Sequence, residues 1–169
     1  LINLGLNEFR KNDIEEFNDN VLITHKEYKR IDLQILLDSK VPKGTWRAGY
    51  ANTEKDICLF ITNDKSHIMQ ENLKYDNSLH SDEIIQWISQ PKTYHSSSVG
   101  QMFIKHREKN MKVHIFARKY AFMNGNKTNP FIYLGQADYY RSFGDKPMTI
   151  LWKLRRKLPQ ELIQELYKL

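Results

Sequence analysis

Six histidines, a single cysteine and three consecutive serines are the residues whose chemistry has to be accounted for first. The histidines are His25, His67, His80, His95, His106 and His114. None stands at the His-x3-His or Cys-x2-Cys spacing that grips zinc, and Cys58 alone cannot supply a thiolate cluster. Each is read as a surface or internally satisfied polar residue, with His106 and His114 held in reserve for phosphate contact. Ser96, Ser97 and Ser98 have no general base beside them and occupy no Gly-x-Ser-x-Gly turn. Gly125-Asn126-Lys127-Thr128 looks like the end of a phosphate-cradling loop, but no glycine directly precedes Lys127. Asp82-Glu83 resembles an ATPase acidic pair, yet polar residues precede it, so it is read as a loop end meeting a strand. Glu27/Lys29 and Asp38/Lys40 have the carboxylate–x–Lys form of nuclease centres. Both pairs fall in a region read as helical, and a metal-dependent nuclease needs acids that converge on the ion. No cofactor and no metal are expected, and the chain is not expected to be an enzyme on its own.

Binding features are stronger. The 169 residues carry a formal net charge of +6, and aromatic residues make up 12%. Such a charge attracts a polyanion and holds it by counterion release. Lys153, Arg155, Arg156 and Lys157 cluster just after the last predicted strand, where they form either a solvated face or a phosphate contact. Trp46, Tyr50, Tyr75, Trp87 and Tyr94 lie beside polar loops. Each ring is either a core residue or a stacking platform. Trp87, flanked by Gln86 and followed by Ser89-Gln90-Pro91, is placed at a strand end beside groups able to read a base edge.

The elements that must position these groups follow from hydrophobic period. Residues 1–40 read as helical, with Tyr28, Ile31, Ile35 and Leu36 on one helix face. Pro42 and Gly44 end that region. Strands are predicted over 45–51, 56–62, 84–89, 112–120, 131–140 and 148–154. In 112–120 the alternation puts Val113, Ile115 and Ala117 on one face and His114, Phe116 and Arg118 on the other. Residues 63–82 and 91–99 are polar loops, and the first is long enough to suggest a functional role. A short helical turn is predicted near 100–106. Pro159 opens a last amphipathic helix that carries Leu162, Leu166 and Leu169. Strand runs this close together argue against a doubly wound parallel sheet. Cys58, within Ile57-Cys58-Leu59-Phe60-Ile61, is a buried hydrophobe, and a chain that cannot form an internal disulfide suits the cytoplasm. No apolar stretch reaches bilayer-spanning length and the first residues are no secretory signal, so no membrane partner is expected. The chain begins without Met and is read as a fragment of something larger.

Several stretches together resemble a known family. They are Tyr28-Lys29-Arg30-Ile31-Asp32, Trp46-Arg47-Ala48-Gly49-Tyr50, residues 59–66, Tyr75-Asp76, Gln86-Trp87-Ile88-Ser89-Gln90, residues 100–106, Phe116-Ala117-Arg118-Lys119-Tyr120, Tyr133-Leu134-Gly135 and residues 146–154. In order and spacing they are similar to the C-terminal domain of a group of bacterial superfamily-two helicase proteins. That group includes the SauUSI-type ATP-dependent type IV restriction enzymes. The resemblance implies an α+β fold, a PUA/SRA-like curved sheet or small β-barrel with flanking helices. It implies a target-recognition domain for 5-methylcytosine or 5-hydroxymethylcytosine in double-stranded DNA. The helicase and nuclease domains of the parent chain would be its partners. Residues 1–40 are then a helical linker or coupler, and 41–169 the reader. The alternative is a coupling domain that docks on the helicase without reading a modified base.

A reader that flips its base needs rings to sandwich it and an acceptor for the cytosine amino group. By residue type and location, Tyr50, Tyr75 and Trp87 are assigned to stacking. Asp64 or Asp76 is assigned to the amino group, and Ser89 or Gln90 to the remaining edge. Arg47, Lys65, Lys92, Gln101, Arg118 and Arg155 are assigned to the DNA backbone.

Overall fold

A computed structural model describes residues 14–17, 20–36, 49–63, 79–125 and 127–167. The chain first makes a small antiparallel hairpin, β1 (Ile14–Phe17) with β2 (Asn20–Ile23), paired Ile14 to Ile23 and Phe17 to Asn20. β3 (Glu27–Tyr28) and the helix α1 (Arg30–Leu36) follow. The Asp32 carboxylate caps α1 by accepting the Lys29 N–H at 2.8 Å, which satisfies a donor that the first helical turn leaves open. The helical reading of 1–40 is thus corrected over its described part: 14–17 and 20–23 pair as a hairpin, and among the described residues helix occupies 30–36, while 1–13 and 37–40 lie outside the described residues. Ile14, Phe17 and Val21 fit a helical spacing about as well as an extended one, and cross-strand pairing decided the outcome.

The main sheet has seven strands. They are β3, β4 (Tyr50–Asn52), β5 (Asp56–Thr62), β6 (Ile84–Ile88), β7 (Lys112–Arg118), β8 (Phe131–Phe143) and β9 (Thr149–Leu154). Its path runs β4-β5-β7-β8-β9-β6, with β3 also on β8. Among the described strands only β5 and β7 are parallel, from Asp56 beside Lys112 to Thr62 beside Arg118. The sheet curls strongly, for Tyr50 on one end strand meets Trp87 on the other, with ring centroids 6.4 Å apart. β8 is shared: β7 pairs along 132–137 and β9 along 137–143. The β7–β8 register shifts between Ile115 and Phe116. Opposite that shift, Gly135 takes a φ of +99°, a conformation a side chain disfavours.

Two helices flank the sheet besides α1. In α2 (Ser98–Ile104), the Ser97 hydroxyl accepts the Gly100 N–H. Gly100 must be glycine, since a Cβ there would lie 2.1 Å from the Tyr94 carbonyl. In α3 (Gln160–Tyr167), Leu162, Ile163 and Leu166 are buried. Pro159, with no N–H to leave unpaired, precedes it as predicted.

β5 and β7 have core on both faces. One cluster gathers Ile57, Leu59, Ile61, Val113 and Ile115 with Trp87, Phe103, Trp152 and Leu162. The other gathers Phe17, Leu22 and Leu33 with Cys58, Phe60, Phe116, Phe131 and Tyr133. The N-terminal hairpin and α1 therefore supply part of the second core. Cys58 is buried there, and burial pushes its thiol pKa well up.

Candidate nucleic-acid interface

Because β5 and β7 are parallel, both leave the sheet at the same end. At that end the Asn63 N–H donates to the Arg118 carbonyl at 2.9 Å. The antiparallel β4 starts there too, since the Phe60 N–H donates to the Gly49 carbonyl at 2.9 Å. Parallel sheets favour such carboxyl ends for ligands, because loops diverge from a rigid edge. Arg118 is held tightly at this edge. Its Nε donates to Thr62 Oγ1 at 2.9 Å, its Nη1 to the Asn129 carbonyl at 3.0 Å, and its guanidinium lies 4.1 Å from the Phe131 ring centroid. Arg30 approaches the same aromatic group, 4.7 Å from Phe60 and 5.3 Å from the Phe131 ring that Arg118 also meets. Burial, and then repulsion from Arg30, pull the Arg118 pKa down to about 10, so the group remains charged at neutral pH.

The β7–β8 connection projects from this edge as a second hairpin. Met123 N–H donates to the Lys127 carbonyl at 2.8 Å, and Asn129 N–H to the Ala121 carbonyl at 2.9 Å. The Asn129 side chain donates to the Tyr120 carbonyl at 3.0 Å. Lys119 Nζ sits 5.3 Å from the Tyr120 ring centroid. Beneath the hairpin is a cavity of about 280 Å³ lined by Arg118, Lys119, Tyr120, Asn129, Glu27 and Glu165, among others.

The residues assigned from sequence scatter more widely than expected. Asp64, Tyr75, Asp76, Arg47 and Lys65 lie outside the described residues, as does Trp46. Tyr50 is half-buried, edge-on to Trp87 and to Phe103 at 5.3 Å; burial raises its pKa. Trp87 is 1% exposed and packs against Phe103 at 5.1 Å, so its ring is a core residue rather than an open platform. Ser89 is buried, and its hydroxyl accepts the Met148 N–H at 2.9 Å. Gln90 is half-buried, with its amide nitrogen beside Gly49. Among the backbone candidates, Lys92 is exposed. Gln101 is committed to the His95 carbonyl at 2.6 Å. Arg155 meets the Asp138 carboxylate at 3.3 and 3.4 Å, and Arg156 lies 3.9 Å from Glu15. Two members of the post-β9 basic cluster are therefore partly neutralised. Among the described backbone candidates, Arg118 is the one at the edge from which the hairpin projects.

His106 and His114 are not phosphate ligands in this fold. His106 is 1% exposed; its Nδ1 donates to the Met111 carbonyl at 3.0 Å and its Nε2 accepts the Tyr139 N–H at 3.0 Å. His114 is fully buried between Asp56 Oδ1 at 2.7 Å and the Tyr133 hydroxyl at 2.8 Å. Burial lowers both pKa values, which favours the neutral ring in each. A further cluster escaped the sequence entirely. His95 Nδ1 meets Asp145 Oδ1 at 2.7 Å and its Nε2 meets Ser142 Oγ at 2.7 Å, while Tyr139 OH lies 2.8 Å from Ser142 Oγ. These groups are about 50 positions apart in the chain, so local spacing gave no signal. They tie the loop after β6 to the β8–β9 turn. Tyr120, Phe122 and Met123 were also missed, although an aromatic-rich stretch of 118–130 without one acidic residue was there to be seen.

No helix among the described residues is long and apolar enough to cross a membrane. Among curated proteins none matches the chain. Of solved structures, SUVH6 from Arabidopsis thaliana in complex with SAM is similar at 14% identity and a TM-score of 0.51. The similarity covers 94% of this chain and 31% of that one. MspJI restriction endonuclease in complex with a 27-mer oligonucleotide is similar at 9% identity and a TM-score of 0.44, over 63% of this chain and 32% of the other. The chain thus spans about a third of the length of either. At 14% identity the likeness is one of fold, and the fold is the α+β, SRA-like curved sheet with flanking helices that the sequence led one to expect. A family profile matches residues 22–166, and the chain accordingly belongs to the family described as a domain of unknown function, DUF3427.

Proposed function

We propose that this chain is a DNA-binding target-recognition domain, one that reads 5-methylcytosine or 5-hydroxymethylcytosine in a duplex by flipping the base. The observation that carries the reading is the meeting of a tightly held cation, Arg118, and exposed rings at one end of an SRA-like sheet. Phosphates supply most of the affinity for such a surface, and the pocket supplies the choice of base. Flipping costs a few kcal/mol, which stacking and hydrogen bonds to the extruded base must offset. Tyr50 and Gln90 are assigned to the pocket mouth, with Trp87 and Ser89 behind them as support. Asp64, Tyr75 and Asp76 keep their assigned roles in amino-group recognition and stacking. Arg47, Lys65, Lys92 and Arg118 are assigned to phosphates, with lesser shares for Gln101 and Arg155. The domain performs no chemistry in this reading; helicase and nuclease domains of a cytoplasmic, modification-dependent restriction enzyme act on what it finds.

Titrating duplexes with and without a single 5-methylcytosine, at moderate salt, tests the proposal. Tighter binding of the modified duplex is expected, and equal affinity overturns it. A coupling role is the second reading, favoured by the exposed side chains of Val21, Ile31 and Ile35, at 56%, 53% and 73%. That reading expects docking on the parent helicase and no preference among duplexes.

A further inference from the structure

Joining antiparallel neighbours takes as few as two residues, yet the link from β7 to β8 runs from 119 to 130. It is not slack chain. The Phe122–Thr128 bridge and the Met123–Lys127 and Asn129–Ala121 hydrogen bonds close it into a hairpin, and Gly125 turns its tip at a φ of +85°. This ordered hairpin holds apolar groups out in solvent: Tyr120 is 46% exposed, Phe122 59% and Met123 47%. From Arg118 to Phe131 the sequence contains three cations and no Asp or Glu. The nearby acids, Glu27 and Glu165, line one cavity together with Arg118, Lys119, Tyr120 and Met123, and Phe122 is not among its lining residues.

We infer that the 119–130 hairpin is a preformed wedge for duplex DNA, whose Phe122 and Met123 enter a base step while Lys119 and Lys127 meet the adjoining phosphates. The inference rests on the DNA-binding reading above and adds to it the element that makes the contact. Apolar side chains of these types unstack and kink base steps when cations anchor them alongside. A protein partner would satisfy Phe122 and Met123 equally well, but it would need acids opposite the three cations. DNA supplies negative charge and flat apolar faces together. The hairpin's cross-strand hydrogen bonds are already made without DNA, so less ordering entropy is lost when it engages.

The test uses the 169-residue chain and a duplex carrying 2-aminopurine beside the modified cytosine. Binding of the unaltered chain is expected to raise the 2-aminopurine fluorescence as its stack opens. The double variant Phe122→Ala/Met123→Ala is expected to bind about tenfold more weakly, the scale of one lost stacking contact. It should also lose the fluorescence rise. Its melting temperature should stay unchanged, since both side chains are outside the core. Lys127→Glu is expected to weaken binding across all sequences and lower the salt dependence by about one phosphate contact. If the unaltered chain binds duplex DNA but both variants match it in affinity and fluorescence, the wedge is overturned and the DNA-binding reading stands. If the unaltered chain binds no duplex, the broader reading fails first.

Discussion

Trp87→Ala separates a base-stacking ring from a core ring. Trp87 is 1% exposed, 5.1 Å from Phe103 and 6.4 Å from Tyr50 between centroids, and it belongs to the larger core cluster with Ile85 and Trp152. Removing a buried indole loses its transfer free energy and leaves a cavity, together about 3–5 kcal/mol. Domains have about 5–15 kcal/mol in all. At about 2–4 °C per kcal/mol for a chain of this size, the melting point should fall by roughly 6–20 °C. The assay is a thermal melt followed by circular dichroism, paired with DNA titration well below the variant's midpoint. Molecules that remain folded should still bind DNA, weakened only as far as Tyr50 loses the ring behind it, because the indole has little open surface with which to touch a base. Tyr50→Ala is the contrasting variant: the half-buried Tyr50 is expected to lose more binding than stability. A Trp87→Ala protein that melts normally and no longer binds DNA would refute the placement of Trp87 in the core.

His106 and His114 have pKa values held below the ordinary 6.5, chiefly by burial. Below about pH 6.5 the unfolded chain therefore takes up protons that the fold refuses, so stability is full above that pH and declines as pH falls; a urea midpoint unchanged from pH 7 to pH 5 would contradict this. Gly100→Ala places a Cβ 2.1 Å from the Tyr94 carbonyl and should cost about 1–3 kcal/mol in a denaturant titration. His95→Ala removes the ring contacts to Asp145 and Ser142 and leaves the residue-95 N–H on Asp145 Oδ1, so the other amides at 93–97 should exchange faster with little change in global stability; unchanged exchange would show that the imidazole does not pin the loop.

Where both the period and the length of an apolar run were clear, the sequence was legible. β5, β7, β9, α2 and α3 fall within a few residues of their predicted spans. Trp87 was misjudged because its polar neighbours were given more weight than its phase. In Ile84–Ile88 the alternation sets Ile85 and Trp87 on the same face, and that face is the buried one. β7 was read correctly as alternating, but the face carrying His114 and Phe116 was not recognised as core. What covers it is Phe17, Leu22 and Leu33, from a segment read as helix. A non-local cover of this kind leaves no mark on the strand itself. The His95–Ser142–Asp145 contacts escaped for the same reason, being made by folding alone. Arg118 was picked out by type and location, and its parallel neighbour Thr62 is what fixes its aim.

A strand buried on both faces restricts where a protein can evolve an appetite for charge. From Val113 to Ala117 every side chain of β7 is enclosed, so a cation introduced along that span would be cut off from water, and only at position 114 would it meet a carboxylate, that of Asp56. Only the strand's two tips remain open to variation. One already holds Lys112 against Glu16 at 2.6 Å. New affinities must then arise at the other tip, where lengthening or recolouring the loop beyond Arg118 leaves the interior untouched.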